Sequence, residues 1–229
     1  MVVSVVIPCF NERDSIQETV NRVKNASIPN REIIVIDDCS TDGTREIIRN
    51  EVEREVTRVV YHQKNMGKGA ALRSGFRAAK GDIVIIQDAD FEYDPSEYTK
   101  SIKLILEDIA DVVYGSRFAA SEAHRVLYFW HMIGNKFLTL FSNMFTDLNL
   151  TDMMTGHKVF KKDIIDRITL KENRFGFESE ITTKIAKLRC RIYEIGISYS
   201  GRTYAEGKKI GWKDGIRVLW CIVKYSLFR

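Results

Sequence analysis

The strongest constraint in this chain is the regular return of short, continuous apolar runs separated by longer stretches of helical periodicity. VVSVVIP (2–8), EIIVID (32–37), TRVVYH (57–62), DIVIIQ (82–87) and DVVYG (111–115) read as strands. Between them, residues 13–26, 43–54, 68–79 and 95–108 carry helical patterns. Uninterrupted apolar strands are buried on both faces, so alternation of this kind predicts an α/β fold with a mostly parallel sheet covered by helices on both sides. The second half is less regular. It predicts a long helix over 121–146, a short strand at 157–161, a helix at 178–189, a strand at 191–199 and a last helix at 211–228. With 229 residues, 45% of them hydrophobic, and no Pro/Ser-rich linker, one domain is expected. The N-terminus enters the first strand without a basic leader, so it reads as structure and not as a signal peptide.

Charge narrows the partners. The formal net charge is +4, too mild to indicate nucleic acid, so any electrostatic argument is local. Cys9, Cys39, Cys190 and Cys221 show no CxxC or zinc-ligand spacing, which predicts neither a structural zinc nor a disulfide framework and suits a reducing, cytoplasmic face. The apolar stretch 126–146 contains Lys136, His131, Asn135, Ser142 and Asn143, so an amphipathic helix is expected there and not a membrane span.

Two strands end in acids. IIVIDD supplies Asp37 and Asp38, and IVIIQDADFEYDP supplies Asp88, Asp90, Glu92 and Asp94. Were the two strands parallel neighbours, the acids would meet on one edge, where doubly wound sheets bind their ligands. Carboxylates at 88, 90 and 92 would repel one another in a cleft unless a hard divalent cation, Mg2+ or Mn2+, neutralised them, and such ions share their remaining positions with phosphates. Asp94, before Pro95, reads as the cap of the next helix.

The series VVIPCFNE (5–12), VIDDCSTDGT (35–44), NMGKGAALRSGF (65–76), IIQDADFEYDP (85–95) and YGSRF (114–118) resembles family 2 glycosyltransferases of the GT-A fold, the nucleotide-diphospho-sugar transferase fold. Within them it is most similar to polyprenyl-phosphate sugar synthases of the dolichol-phosphate mannose synthase type. The likeness continues in order through TDMMTGHKVF (151–160), GFESEI (176–181) and GRTYAEGKK (201–209). It implies a nucleotide-sugar and metal-binding half, 1–118, and an acceptor-binding half, 119–229. It implies that Pro8, Phe10, Asn11, Glu12, Asp37, Asp38, Asp88 and Ala89 line the donor pocket, with Asp37 near the base, and that Asp88 and Asp90, joined by Glu92, hold the metal. Glu92 departs from the Gln usual at its position. Lys68 is expected either at the donor diphosphate or as a solvated helix-start lysine.

The implied reaction is transfer of a hexose, with inversion, from GDP-mannose or UDP-glucose to a polyprenyl (dolichyl) phosphate; Asp90, Asp152 and Arg117 are the expected catalytic residues. A lipid phosphate is already anionic near neutral pH and needs cations more than a base. Arg117, Arg125, Arg202 and Lys208 are the candidates, with Lys209 beside them. A saccharide hydroxyl would instead need a base, for which Asp152, with Glu178 or Glu180, is the candidate, although Asp152 also reads as a structural partner to one of these arginines. A nucleotide-sugar-binding subunit without catalysis is a third possibility, disfavoured by the intact acid set. A lipid acceptor implies peripheral docking at the cytoplasmic face of a membrane. Trp130, Ile133, Phe137, Phe141 and Met144 form one stripe of the long helix, and Lys213, Arg217 and Lys224 mark a basic side of the last; either stripe read alone is equally consistent with core. Members of the resembling group often carry transmembrane helices beyond this point, so an anchoring partner subunit or a longer chain is also compatible with the sequence.

Overall fold

The computed structural model describes residues 1–28, 30–119, 123–126, 128–203 and 212–228, with the side chains of 212 and 213 excepted. Its elements are β1 (Val3–Cys9), α1 (Ile16–Asn25), β2 (Arg31–Asp37) and α2 (Thr44–Ile47), which widens into a π turn over Ile48–Val52. There follow β3 (Arg58–Tyr61), α3 (Lys68–Ala78), β4 (Ile83–Ile86), a 3-10 turn at Pro95–Glu97 leading into α4 (Tyr98–Leu106), and β5 (Val112–Ser116). The remainder is α5 (Phe129–Thr146), β6 (Lys158–Lys161), α6 (Lys162–Asp166), α7 (Phe177–Leu188), β7 (Ile192–Gly196) and α8 (Trp212–Leu227).

The seven strands form one sheet in the order β3-β2-β1-β4-β6-β5-β7. β1 pairs in parallel with β2 and β4, β2 with β3, and β5 with β7; β6 alone is reversed, antiparallel to both β4 and β5. Period-two alternation divides the core between the faces. Val5, Ile7, Ile33, Val35 and Ile85 join Ile16, Val20, Ile48, Tyr98 and Ile102 on one side. Val6, Ile34, Ile36, Val84 and Ile86 join Leu72, Phe76, Phe177, Ile181 and Ile222 on the other. Each fully buried Ile or Val stabilises the fold by about 1.5–3 kcal/mol relative to exposure.

Two topological details place the functional edge. β1 lies between β2 and β4, so the acid-bearing strands share the carboxyl edge without being neighbours, correcting the expected adjacency. The reversed β6 starts at that same edge and carries the 151–157 segment to it. A sequence reader sees one more short apolar run; its direction is decided by which gap in the sheet it fills.

The long helix begins at Phe129, later than the expected 121, and residues 124–125 instead run beside Tyr199, with the Arg125 amide donating to the Tyr199 carbonyl at 2.8 Å. Its fully buried residues are Thr139 and Ser142, with Leu138, Phe141 and Phe145 partly buried against the core, whereas Trp130 is 79% exposed, Phe137 54% and Met144 74%. The expected apolar stripe therefore faces outward, except that Phe141 stacks inward against Phe145 at 4.9 Å. α8 packs against α5 and α7 through Val218, Cys221, Ile222 and Tyr225, leaving Ile216, Trp220, Leu227 and Phe228 exposed. On its expected basic side, Arg217 and Lys224 stay partly exposed while both bond the buried Glu172, and the Lys213 side chain lies outside the described residues. Among the described residues, no helix is long and apolar enough to cross a membrane.

Candidate active site

The loops that follow β1 and β2 are strapped together. Asn11, in the left-handed region at φ 53°, accepts the Thr41 amide at 2.9 Å, and its own amide donates to Ser40 Oγ at 3.0 Å. The Glu12 amide donates to Thr44 Oγ1 at 2.9 Å, while Pro8 and Cys9 pair in register with Ile36 and Asp37. Asp37 is wholly buried, with Arg45 Nε at 2.5 Å and the Ser40 amide at 3.1 Å on its oxygens. Asp38 accepts the amides of Met66 (2.9 Å) and Gly67 (2.6 Å) and meets His62 Nδ1 at 2.7 Å. The first acid pair is therefore spent on holding these loops together. Gly67 needs its lack of a side chain, with φ +94° and a Cβ that would fall 2.5 Å from the Asn173 carbonyl.

Beyond β4, Gln87 closes the acidic loop from beneath: its amide nitrogen donates to the carbonyls of Asp88 (2.9 Å) and Tyr93 (3.3 Å), and Tyr98 donates to its oxygen at 2.6 Å. Ala89 is buried, its carbonyl accepting from Thr19. Asp94 caps the turn at Pro95 by accepting the Ser96 amide at 2.9 Å, as its spacing predicts. Asp88 and Asp90 face the site, each with a cation. Lys68 Nζ lies 2.8 and 2.9 Å from the two oxygens of Asp88. Arg202 lies 2.6 Å from Asp90 and binds both oxygens of Glu12, at 3.0 and 3.2 Å. Lys68 is thus no solvated lysine; burial works against its charge, but Asp88 and Glu178 outweigh this and raise its pKa.

Glu92, expected beside Asp88 and Asp90 at the metal, is turned to other partners in this structure. Phe91 takes a left-handed φ of 56°, and Glu92 beyond it accepts the Arg202 amide at 2.8 Å and the Tyr199 hydroxyl at 3.2 Å. Among the described residues, no three His, Cys, Asp or Glu side chains are gathered as a metal seat. Asp88 and Asp90 nonetheless fit a hard divalent cation. Their donors are all carboxylate oxygens, and Asp90 is raised above the ordinary carboxylate range, first by burial and then by Asp88 and Glu92, a crowding of negative charge that a cation would relieve. Space is left for the pair by Gly156, where a Cβ would stand 2.3 Å from Asp88 Oδ2.

Arg117 follows β5 and meets Asp152 in a bidentate fork, Nε to Oδ2 at 2.6 Å and Nη2 to Oδ1 at 2.8 Å, while its amide takes Oδ2 at 3.1 Å. Asp152 is fully buried, and both its oxygens accept from Arg117, the arrangement of an arginine's structural partner and not of an open general base. Glu180 is likewise occupied, by the amides of Lys171 and Glu172 and by Lys184. The Arg117 guanidinium lies 5.1 Å from the Tyr199 ring centroid, and Tyr93 packs on Tyr199 at 5.5 Å. Arg117, Tyr199, Glu92 and Arg202 therefore form one wall. Arg125 stands at its rim, bonded to the Gly201 carbonyl at 3.1 Å. Lys208 and Lys209 lie outside the described residues. Tyr199 carries no local sequence signal, and Gly156, although inside TDMMTGHKVF, is not singled out there; both matter because β6 and β7 deliver them to this edge.

A parallel sheet with a single reversed strand, carrying an Asp-x-Asp pair at its carboxyl edge and facing arginines, defines a GT-A-type glycosyltransferase site. The chain belongs to glycosyl transferase family 2, whose model matches residues 4–169. It is 27% identical over 214 residues to a dolichol-phosphate mannosyltransferase of Pyrococcus furiosus, covering 92% of this chain and 60% of that protein. It is 28% identical over 224 residues to an undecaprenyl-phosphate mannosyltransferase of Micrococcus luteus, covering 92% and 88%. The fold matches glucosyl-3-phosphoglycerate synthase of Mycobacterium tuberculosis, solved with Mn2+, UDP and phosphoglyceric acid, with a TM-score of 0.77 at 18% identity over all of this chain and 79% of that one.

Proposed function

We propose that this chain transfers a hexose, mannose or glucose, from a nucleoside diphosphate sugar to a polyprenyl phosphate at a membrane surface. The observation that carries the reading is the Arg117–Asp152 fork: the carboxylate otherwise best placed to act as a base is spent on a buried arginine. An acceptor that brings its own anion, as a phosphate does, has no need of that base. The two mannosyltransferase relatives, named for dolichol phosphate and undecaprenyl phosphate, point to the same acceptor class.

In this reading Asp88 and Asp90 hold Mg2+ or Mn2+, which when bound supplies charge to offset the departing diphosphate. Structural neighbours crystallised with Mn2+ or Mg2+ and UDP support that use of the fold. Lys68 adds a cation on the donor side. Arg117 and Arg202, with Arg125 at the rim, orient the acceptor phosphate, a task suited to planar guanidinium groups. The outward stripes of α5 and α8 give the protein a way to lie at the lipid interface where that acceptor resides.

The test is an organic-extraction assay with Mn2+ or Mg2+, a short polyprenyl phosphate, and labelled GDP-mannose and UDP-glucose in separate reactions. Label entering the organic phase with one donor, and lost in Asp90→Ala, is the expected result. Label reaching a soluble saccharide instead overturns the acceptor.

A further inference from the structure

Beneath the acids runs a buried chain of alternating charge that joins Asp88 and Lys68 to Glu178 and Lys158, two residues the chemistry above does not use. Lys68, at the start of α3, is 2.8 Å from Asp88 and 3.7 Å from Glu178 Oε1. The other oxygen of Glu178, in the first turn of α7, bonds Lys158 Nζ, which also donates to the Thr155 carbonyl. Lys158, on β6, is fully buried, with its ammonium 5.0 Å from the Tyr114 ring centroid. The stretches holding Lys158 (TGHKVF) and Glu178 (GFESEI) are thereby linked to the GKG turn and the Asp-x-Asp loop.

Stability alone is a poor reason for this arrangement. Desolvating two charges costs several kcal/mol per ion, and a well-packed apolar pair of the same volume commonly serves as well or better. What the ion pair does supply is a fixed direction for its neighbour. Lysine is a point charge on a flexible four-carbon stem and holds a position only when its surroundings impose one. Lys158 takes one Glu178 oxygen, leaving only the other for Lys68 at the longer distance. The Lys68 ammonium is thus biased outward, toward Asp88, yet remains tethered from behind.

We propose that Glu178 and Lys158 are positioning residues that aim Lys68 at the donor's diphosphate, an inference resting on the reading that the Asp88–Asp90 loop receives a nucleoside diphosphate sugar. When donor and cation engage Asp88, Lys68 loses its nearer partner and Glu178 keeps it in place. With Lys158 removed, Glu178 is free to turn both oxygens on Lys68 and draw it back from the site.

The experiment is calorimetric titration, with Mn2+ present, of UDP and UMP, and of GDP and GMP, into the wild type, Lys68→Met, Glu178→Gln, the double variant Lys68→Met/Glu178→Gln, and Lys158→Met/Glu178→Gln. Losing one charge-assisted contact is worth about a tenfold drop in affinity, so Lys68→Met should weaken the diphosphate by about that factor and the monophosphate far less. Glu178→Gln should weaken the diphosphate selectively by about threefold to tenfold, and should add nothing in the Lys68→Met background, because it acts through that lysine. Lys158→Met/Glu178→Gln, which leaves no buried charge unpaired, should show the same selective loss and keeps the test open if Glu178→Gln fails to fold. Equal losses for diphosphate and monophosphate, or additive losses in the double variant, would overturn the positioning role. A response to Lys68→Met with none to either Glu178 variant refutes the inference alone; a wild type binding neither UDP nor GDP refutes the donor reading and the inference with it.

Discussion

Replacing Asp152 by Asn separates a structural carboxylate from a reacting one. The substitution preserves volume and one carbonyl oxygen but removes the charge facing Arg117 and puts an amide donor where the guanidinium already donates. Asp152 is fully buried and the Arg117 side chain is 11% exposed, so solvent screening does little to soften the loss. Breaking a buried pair by removing one partner costs roughly 3–5 kcal/mol, and about 3 kcal/mol is expected because Asn still accepts one bond. With a urea dependence of roughly 2.5 kcal/mol per molar, the unfolding midpoint should fall by about 1 M. The assay is urea unfolding followed by circular dichroism, run beside the transfer assay under conditions where the variant is folded. There it should retain measurable transfer to polyprenyl phosphate, with a raised acceptor KM because Arg117 is less firmly held. A midpoint shift under about 0.3 M together with abolished transfer would refute the reasoning and return Asp152 to the role of base.

Glu172 gives a pH prediction. Burial raises its carboxyl, but hydrogen bonds from Arg217, Tyr225 and Lys224 outweigh this and hold it at about 2, below the ordinary 4.5. A depressed folded-state pKa stabilises above the unfolded value, so the stability excess of wild type over Glu172→Gln should be full above about pH 5 and shrink as pH falls from 4.5 toward 2, read as the difference in urea midpoints. Gly156→Ala, whose Cβ would press on Asp88 Oδ2, should weaken Mn2+ binding by at least about tenfold, roughly one charge-assisted contact, while the far-ultraviolet spectrum is unchanged; unchanged Mn2+ affinity would count against Asp88 as a ligand. Replacing the exposed Trp130, Phe137 and Trp220 together by Ser should abolish flotation with anionic vesicles without lowering the unfolding midpoint; a lowered midpoint would mean that these side chains are packed in the core.

The central strands β1, β2, β4 and β5 were legible in the sequence because a doubly covered sheet demands continuous apolar runs, and that demand is local; the edge strands β3 and β7 were legible only as less buried runs. The acids after β4 were legible for the same reason, since they interrupt a buried strand where no local structural need calls for four carboxylates. α6 was not legible: five residues, KDIID, are too few for a helical period to declare itself. The partners of the site residues were not legible either. Lys68 reads equally as a diphosphate cation or a solvated lysine until α7 brings Glu178 behind it, and Asp152 reads as a base or as an arginine's structural partner until β5 delivers Arg117.

By itself, then, the sequence determined what depends on neighbours along the chain: the elements and which residue types crowd the carboxyl edge. Tertiary structure decided what depends on residues far apart. It reversed β6 and so brought Gly156 beside Asp88, set Arg202 between Glu12 and Asp90, and turned Glu92 to Tyr199. It also turned the apolar stripe of α5 outward, because periodicity reports that a helix has an apolar face but not what that face is turned toward.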